Sequence, residues 1–299
     1  MPLDNRKILV VGGTGFLGRP VAQMLDFFGF PIRIFTHSPV KAEEIFGKHF
    51  DIAAGDIADS GSLEEAMEGC YGVHINLSGG PKPKDYERIE HLGTKAIVEA
   101  AKKQNINRIT YLSGASLSED RLWFAPTRAK YLAEQEIIKS GLEYAIFRAT
   151  WFMESLPLFV RDGKAIVMGK QPEKIHWIAA EDYARMVCRT YMMEEPIKKK
   201  FRVFGPEKYT FAGAFELYRK VIDPEIKIIH TPISVLRLMA FFQANAKLKD
   251  ILSLMKYFQK HGEIGDPIDT DETFGHPSIT LEKWLASYKD KANKTPIKK

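Results

Sequence analysis

The chain predicts an α/β fold, a doubly wound parallel sheet followed by a smaller C-terminal lobe. Two observations predict it. Short apolar runs alternate with amphipathic segments over the first 150 residues, the pattern of a parallel sheet covered by helices on both faces. A glycine-rich turn, Gly12-Gly13-Thr14-Gly15-Phe16-Leu17-Gly18, joins the first apolar run (ILVV, 8–11) to the first helical stripe, Leu17, Val21, Met24, Leu25 and Phe28. Strand, glycine turn and helix in that order form a dinucleotide-binding signature. The first glycine permits the tight turn, the middle one lets a pyrophosphate approach the backbone, and the last lets the helix pack on the strand. The helix N-terminus then offers free N–H groups and partial positive charge to the phosphates.

The remaining elements follow in turn. Residues 31–35 (PIRIF) read as the second strand, closed by Thr36-His37-Ser38-Pro39, and 40–46 as a short helix. Residues 50–54 make the third strand, followed by Gly55-Asp56; 60–68 are helical, with Ser60 or Ser62 as N-cap. The fourth strand is 72–77 (GVHINL), ending in the loop signal Ser78-Gly79-Gly80-Pro81. A long helix covers 85–103, with Gly93 inside it. That glycine costs roughly 1 kcal/mol against alanine, and close packing on the sheet is the expected return. The fifth strand is 108–112, followed by Ser113-Gly114-Ala115-Ser116; the helix 127–140 is closed by Gly141, and the sixth strand is 144–147. Right-handed crossovers and a nucleotide turn after the first strand give the order 3-2-1-4-5-6, with room for a seventh strand. Ligands then sit beyond the carboxyl ends of the strands.

After residue 150 the alternation breaks down. Strands at 165–168, 176–178, 201–204 and 226–229 are interspersed with helices at 181–193 and 210–222. A long amphipathic helix or helix pair spans 234–260, and a last helix spans 280–289. The expected organisation is a dinucleotide-binding core, 1–150, and a smaller substrate or partner lobe, 151–299, interleaved on the C-terminal edge of the sheet.

Composition narrows the function classes. The chain has 299 residues, 45% of them hydrophobic, enough for a sizeable core. Lys and Arg number 43 against 38 Asp and Glu, a net +5. The excess includes runs at 198–200 and in the tail 289–299, with no basic, aromatic-interleaved face that would speak for nucleic acid. Cys70 and Cys188 lack metal-ligand spacing, no helical histidine pairing predicts a metal, and no stretch is long and charge-free enough to span a bilayer. These features together favour a reducing, cytoplasmic setting; a Cys70–Cys188 disulfide stays open. Residues 236–242 (LRLMAFF) and 251–258 (ILSLMKYF) are strongly apolar with interspersed Lys and Arg. They are expected to cap the lobe at a substrate entrance, with a protein partner or a peripheral membrane contact through 234–260 as the alternative.

Several blocks carry a family likeness: GGTGFLGRPV at 12–21, GD at 55–56, HLGTKAIVEAAKKQNINRITYLSG at 91–114, KYLAEQEIIKSGLEYAIFRATWFME at 130–154, HWIAAEDYARMV at 176–187 and FGHPSITLEKWL at 274–285. Through them the chain resembles the atypical short-chain dehydrogenase/reductases, in the NmrA-like and complex I accessory-subunit-like branch of NAD(P)-binding Rossmann proteins. The resemblance implies a nicotinamide dinucleotide at Gly12, Gly13, Thr14, Gly15, Phe16, Leu17 and Gly18, adenine near Asp56 and Ile57, and Leu77, Ser78 and Gly79 lining the cofactor. The nucleotide's identity is read after the second strand, where an NAD site places a carboxylate for the ribose 2′-hydroxyl. Here that place holds His37, Ser38 and Lys41 and no carboxylate, which favours NADP(H) over NAD(H).

The resemblance also implies a Tyr-x-x-x-Lys pair with a serine and an asparagine. Lys130 matches the lysine, which also serves the cofactor. Pro126 stands at the tyrosine position, Ala115 at the serine and Glu90 at the asparagine. Ser113 and Ser116 remain as offset hydroxyls, and Trp151 and Phe152 are candidate pocket residues. Two functions fit this partial set. One is an NADPH-dependent reductase of a small, largely apolar carbonyl, quinone or enone, with Lys130 near the nicotinamide as acid/base and Ser113 assisting. The other is a catalytically inactive NADP(H)-binding redox sensor or complex assembly or stabilising factor. A nucleotide-sugar epimerase is disfavoured by the missing tyrosine.

Overall fold

The computed structural model describes residues 5–80 and 82–294; Pro81 of the loop signal and the end of the basic tail lie outside these residues. β1 (Ile8–Val11) leads through the glycine turn into α1 (Gly18–Phe27). β2 (Ile32–Thr36), α2 (Pro39–Phe46), β3 (Asp51–Ala54), α3 (Ser60–Met67) and β4 (Gly72–Ile75) follow in alternation. Next come one helical turn, α4 (Pro83–Asp85), a π-helical stretch (Tyr86–Leu92) and α5 (Gly93–Lys103). β5 (Arg108–Gly114), α6 (Ala125–Lys139) and β6 (Glu143–Ala149) complete the first half. The second half carries β7 (Trp151–Phe152), β8 (Val160–Arg161), β9 (Lys164–Met168), β10 (Ile175–Ile178), α7 (Ala180–Met192), β11 (Lys198–Val203), β12 (Glu207–Tyr209) and α8 (Phe211–Val221). It closes with β13 (Lys227–Thr231), α9 (Ile233–Phe242), α10 (Ala246–Phe258), α11 (Ile268–Phe274) and α12 (Leu281–Lys294).

Two compact units result. The first runs to Arg148 and resumes over Tyr183–Arg202; the second is Ala149–Asp182 and resumes at Val203. The first unit holds the main sheet, in the order β3-β2-β1-β4-β5-β6-β11. The doubly wound order is therefore as expected, and β11 is the seventh strand. β1 pairs in parallel with β2 on one side and β4 on the other. That is the point where the winding reverses, the place beyond the carboxyl ends of β1 and β4 where doubly wound sheets bind their ligands. All four β1 side chains are buried, as a strand covered on both faces requires. Leu9, Val11, Ile75, Ile97, Ala101 and Ile137 belong to one continuous apolar core.

Arg108 ties α7 and the chain after it to this sheet. Its side chain is buried and all its donors are used. Nε and Nη2 donate to Glu143 Oε2, Nη1 to the carbonyls of Thr190 and Met193, and Nη2 also to the carbonyl of Glu195. The carbonyls left open at the end of α7 are thereby satisfied by a cation, which the helix dipole also favours. Between β4, β5 and α7 lies a buried polar chain: His74 Nδ1 meets Thr110 Oγ1 at 2.9 Å, and Thr110 Oγ1 meets the Tyr191 hydroxyl at 2.8 Å.

The second unit contains two small sheets, β12-β10-β7 and β13-β9-β8. Its core gathers Trp177, Phe215, Leu252, Leu281 and Leu285. Asp182, in the first turn of α7, accepts from the N–H groups of Ser278 and Ile279 at 3.2 and 3.0 Å, a structural task.

Several details differ from expectation. The N-cap of α3 is Asp59, whose carboxylate accepts from Gly61 N–H; neither Ser60 nor Ser62 caps it. β4 stops at Ile75, because only Asn76 N–H still reaches Val11 and Leu77 turns to pack toward Gly93. The 234–260 segment is a pair of helices, broken where Ala244 adopts φ 48°. Cys70 and Cys188 are buried free thiols, which removes the disulfide.

His74 sets a pH dependence. Its Nε2 is buried without a hydrogen-bond partner, and burial pushes its pKa down to about 3. The unfolded chain takes up this proton below about pH 6.5 and the folded chain does not until about pH 3, so stability is lost as the pH is lowered through that window. Urea unfolding at pH 7 and pH 5 is expected to lose about 2 kcal/mol more in the native chain than in His74→Gln. Equal losses in the two proteins contradict this.

Candidate functional site

The site is built on the first unit. Gly12 adopts φ 80°, and a Cβ there would lie 2.2 Å from the Asn76 carbonyl oxygen on the neighbouring strand exit. A Cβ on Gly18 would stand 2.3 Å from the Gly12 carbonyl oxygen, so α1 can start against the turn only with glycine at that position. Gly13 packs on Val10 and Ile34, and Gly15 N–H closes the turn on the Gly12 carbonyl at 3.0 Å. Leu17, the N-cap of α1, makes no side-chain capping bond, and the first turn has no acidic residue. Arg19 N–H bonds the Gly15 carbonyl at 3.1 Å and Pro20 has no N–H, so Gly18 N–H and the positive end of the helix dipole are what this start offers to an anion. Around it Thr14 and Leu17 are half-buried, while Gly15 and Phe16 are exposed.

The end of β2 supplies the next part. Thr36 is buried, with its hydroxyl accepting from Ser38 N–H at 3.0 Å. His37 and Lys41 are exposed and Ser38 is half-buried. No carboxylate occurs over 36–42. Beyond β3, Asp56 Oδ1 accepts from Ala58 N–H and the Asp56 carbonyl from the Ser62 hydroxyl, which shapes the turn. Ile57 and Leu77 flank Gly93: a Cβ there would come within 2.7 Å of one and 3.2 Å of the other. The glycine inside the long helix thus lets it press on the strand ends. Ser78 is exposed, and Gly79 lies under the Tyr86 ring.

Lys130 is held by a buried carboxylate. Its Nζ lies 3.1 Å from Glu90 Oε2, 3.4 Å from the Leu112 carbonyl and 5.7 Å from the centre of the Tyr111 ring. The other Glu90 oxygen accepts from Gly79 N–H at 2.7 Å. Glu90 belongs to the π-helical stretch, a rare winding that recurs at functional sites. Pro126 sits in the first turn of α6, where a missing N–H costs nothing, so the residue at the tyrosine position starts the helix carrying Lys130. Tyr131, next to Lys130, points elsewhere and donates to Glu119 at 3.1 Å.

A second pairing lies beside the first. The Ser113 hydroxyl donates to Glu134 Oε1 at 2.6 Å, and Arg148 donates through Nε and Nη2 to the same carboxylate at 2.9 and 2.6 Å. Glu134 is fully buried. The Tyr111 hydroxyl is buried and makes no hydrogen bond. Burial, followed by the charges of Glu90 and Glu134, drives its pKa well above 10. Ser116 is buried, and its carbonyl accepts from Arg121. In the second unit, Trp151 and Phe152 form β7 and pair with Trp177 and Ile178 of β10. The Trp151 ring meets Phe211 and Phe258 edge-on at 5.0 and 5.1 Å, within the aromatic core of that unit.

The structure thus brings together Lys130, Ser113, Gly79 and the strand-end turns. Sequence reasoning named Glu90 only as a departure and missed the Glu134–Arg148 pair and Tyr111. One signal was available for Glu90: a carboxylate three residues before Gly93 lies on the face that packs inward. Among the described residues no three His, Cys, Asp or Glu side chains group as a metal site.

Comparisons with known proteins agree with this architecture. The model of the NmrA-like family matches residues 4–291. Photosystem II assembly factor Ycf39 of Cyanophora paradoxa is 24% identical over 85% of this chain and 82% of its own. The NAD(P)H azoreductase of Xenophilus azovorans is 25% identical over 67% of this chain and 68% of its own. The NADPH-dependent quinone oxidoreductase QOR2 of Escherichia coli, solved with NADPH, superposes with TM-score 0.71 at 19% identity, covering 94% of this chain and 99% of that one. That likeness is one of fold.

Replacing Glu90 separates its two tasks. Glu90→Ala leaves Gly79 N–H and the Lys130 ammonium without their partner and is expected to cost about 2–3 kcal/mol in urea unfolding. Glu90→Gln keeps an acceptor for Gly79 and is expected to cost less. Equal losses contradict the two-sided role.

Proposed function

The chain belongs to the NmrA-like family, and on that premise we propose that it binds NADP(H) and works as a reductase of a small, largely apolar carbonyl, quinone or enone. The observation that carries the reading is the glycine turn, packed too closely for any Cβ at Gly12 or Gly18 and opening on an uncapped helix start. The residues fit a nicotinamide dinucleotide. Backbone N–H groups of the turn between Gly13 and Gly18, other than Gly15 N–H, which closes the turn, would hold the pyrophosphate. His37, Ser38 and Lys41 would take the 2′-phosphate, where a carboxylate would repel it. Asp56 and Ile57 would border the adenine, Leu77, Ser78 and Gly79 would line the cofactor, and Lys130 would hold a ribose. When bound, NADPH supplies a hydride.

The chain's own part is charge and position. Ser113 has given its hydroxyl proton to a bond with Glu134, and Pro126 offers none. Proton delivery then falls to Lys130 or to water. Such a site suits acceptors that spread the incoming charge, as quinones and enones do. The buried free thiols fit a reducing, cytoplasmic setting. A second reading, binding without turnover as a redox sensor or assembly factor, is favoured by the same two pairings, which occupy Lys130 and Ser113. The assembly-factor relatives agree with it. The epimerase reading fails on the absent tyrosine.

Calorimetric titration is expected to give NADPH at least about tenfold tighter binding than NADH, a preference that Lys41→Glu abolishes. Tighter NADH binding contradicts the cofactor assignment. NADPH consumption with a panel of quinones, enones and aldehydes is expected, with kcat falling about a hundredfold or more in Lys130→Ala. Tight NADPH binding with no consumption on any acceptor selects the second reading.

A further inference from the structure

α9 of the second unit is apolar on nearly every side. Leu236 and Ala240 are buried and belong to the unit's core with Leu252 and Met255 of α10. Val235, Leu238, Met239 and Phe242, spaced i, i+3, i+4 and i+7, form a second stripe that is exposed. Phe241 and Phe242, at the end of the helix, are 68% and 76% exposed. A stripe of large apolar groups at helical spacing is a contact surface rather than scattered surface residues.

The surroundings of this stripe are basic. Beside it lies an open groove of about 1010 Å³, lined by Leu238 and Phe241 together with Lys170, Arg237, Lys256 and Lys260, and by no carboxylate among the described residues. Lys249 Nζ stands 5.6 Å from the centre of the Phe241 ring. Residues 227–261 carry six lysines and arginines against Asp250 alone, an excess as large as the +5 of the whole chain. The remainder of the protein is balanced, so its positive charge is concentrated around the exposed apolar helix.

We propose that α9 and this groove dock the protein on the surface of an anionic lipid bilayer. The apolar stripe enters the boundary between headgroups and acyl chains while the basic side chains meet lipid phosphates. α9 has 10 residues, half the length needed to cross, and no described helix is long and apolar enough to span a membrane; it therefore lies in the plane of the surface. Charge complementarity selects this occupant. A second copy would bring the same positive patch against itself, and a neutral bilayer would leave the basic residues unpaired.

The test is flotation of the full chain with vesicles of phosphatidylcholine alone or with phosphatidylglycerol added. The protein is expected to float with the anionic vesicles only, and to be released as salt is raised. Phe241→Ser with Phe242→Ser, and separately Arg237→Gln with Lys256→Gln, are each expected to lower partitioning about tenfold or more, the first through lost apolar burial and the second from roughly fivefold per surface charge. Phe241→Trp is expected to shift its emission to the blue and be quenched by brominated acyl chains in anionic vesicles alone. Absence of the native chain from the anionic fraction, equal flotation of the variants, or unchanged emission from Phe241→Trp overturns the proposal. So does a dimer in sedimentation velocity that the Phe241→Ser, Phe242→Ser variant loses, since a second copy would then cover the helix.

Discussion

Glu90 is only 2% exposed, and both of its oxygens are committed. A carboxylate withdrawn from water is costly unless opposite charge and hydrogen-bond donors replace the lost hydration. Here the Lys130 ammonium supplies the charge and Gly79 N–H the donor. That requirement joins three separate parts of the chain: the loop after β4, the π-helical stretch before α5, and the second turn of α6. Moving the turn of α6 leaves a buried charge unpaired, and moving the loop takes away its N–H donor. The unusual winding of 86–92 carries Glu90 within the helix that Gly93 allows to pack closely on the strand ends.

The same logic repeats one strand over. Glu134 is fully buried and is matched by Arg148 from two directions and by the Ser113 hydroxyl. Between the two carboxylates the Tyr111 hydroxyl is kept protonated by burial and by their charge. The site therefore keeps its binding turns open while its polar side chains are taken up in pairs. A fixed cation and an open helix start suit the holding of a phosphorylated cofactor. They leave proton transfer with fewer hands than a tyrosine-bearing site has, which is the ground for proposing acceptors that spread charge.

Much of the first unit could be read in order because local chemistry dictates it. β1 announced itself as an unbroken β-branched run, and Gly12 and Gly18 announced the turn because no other residue fits there. The reversal at β1 then followed from the position of that turn. What stayed hidden depends on partners far away in sequence. The Lys130–Glu90 pair spans forty positions, and Arg108 serves the carbonyls of Thr190, Met193 and Glu195. β11 joined the main sheet at its edge, beside β6, and its basic run, 198–200, stays exposed. Two-residue strands such as β7 and β8 are set by pairing rather than by pattern. The break between α9 and α10 turns on Ala244 adopting a left-handed conformation that alanine rarely takes. Trp151 read as a pocket candidate, and its ring packs against Phe211 and Phe258 within its own unit.

On the proposed reading, Lys130 stays paired with Glu90 while the cofactor binds. A crystal structure of the chain with NADPH bound tests that claim most directly. The predicted result is an intact Lys130–Glu90 pair near its present 3.1 Å, with the 2′-phosphate beside His37 and Lys41. A bound structure in which Glu90 has turned away from Lys130, or in which the 2′-phosphate meets neither His37 nor Lys41, would contradict it.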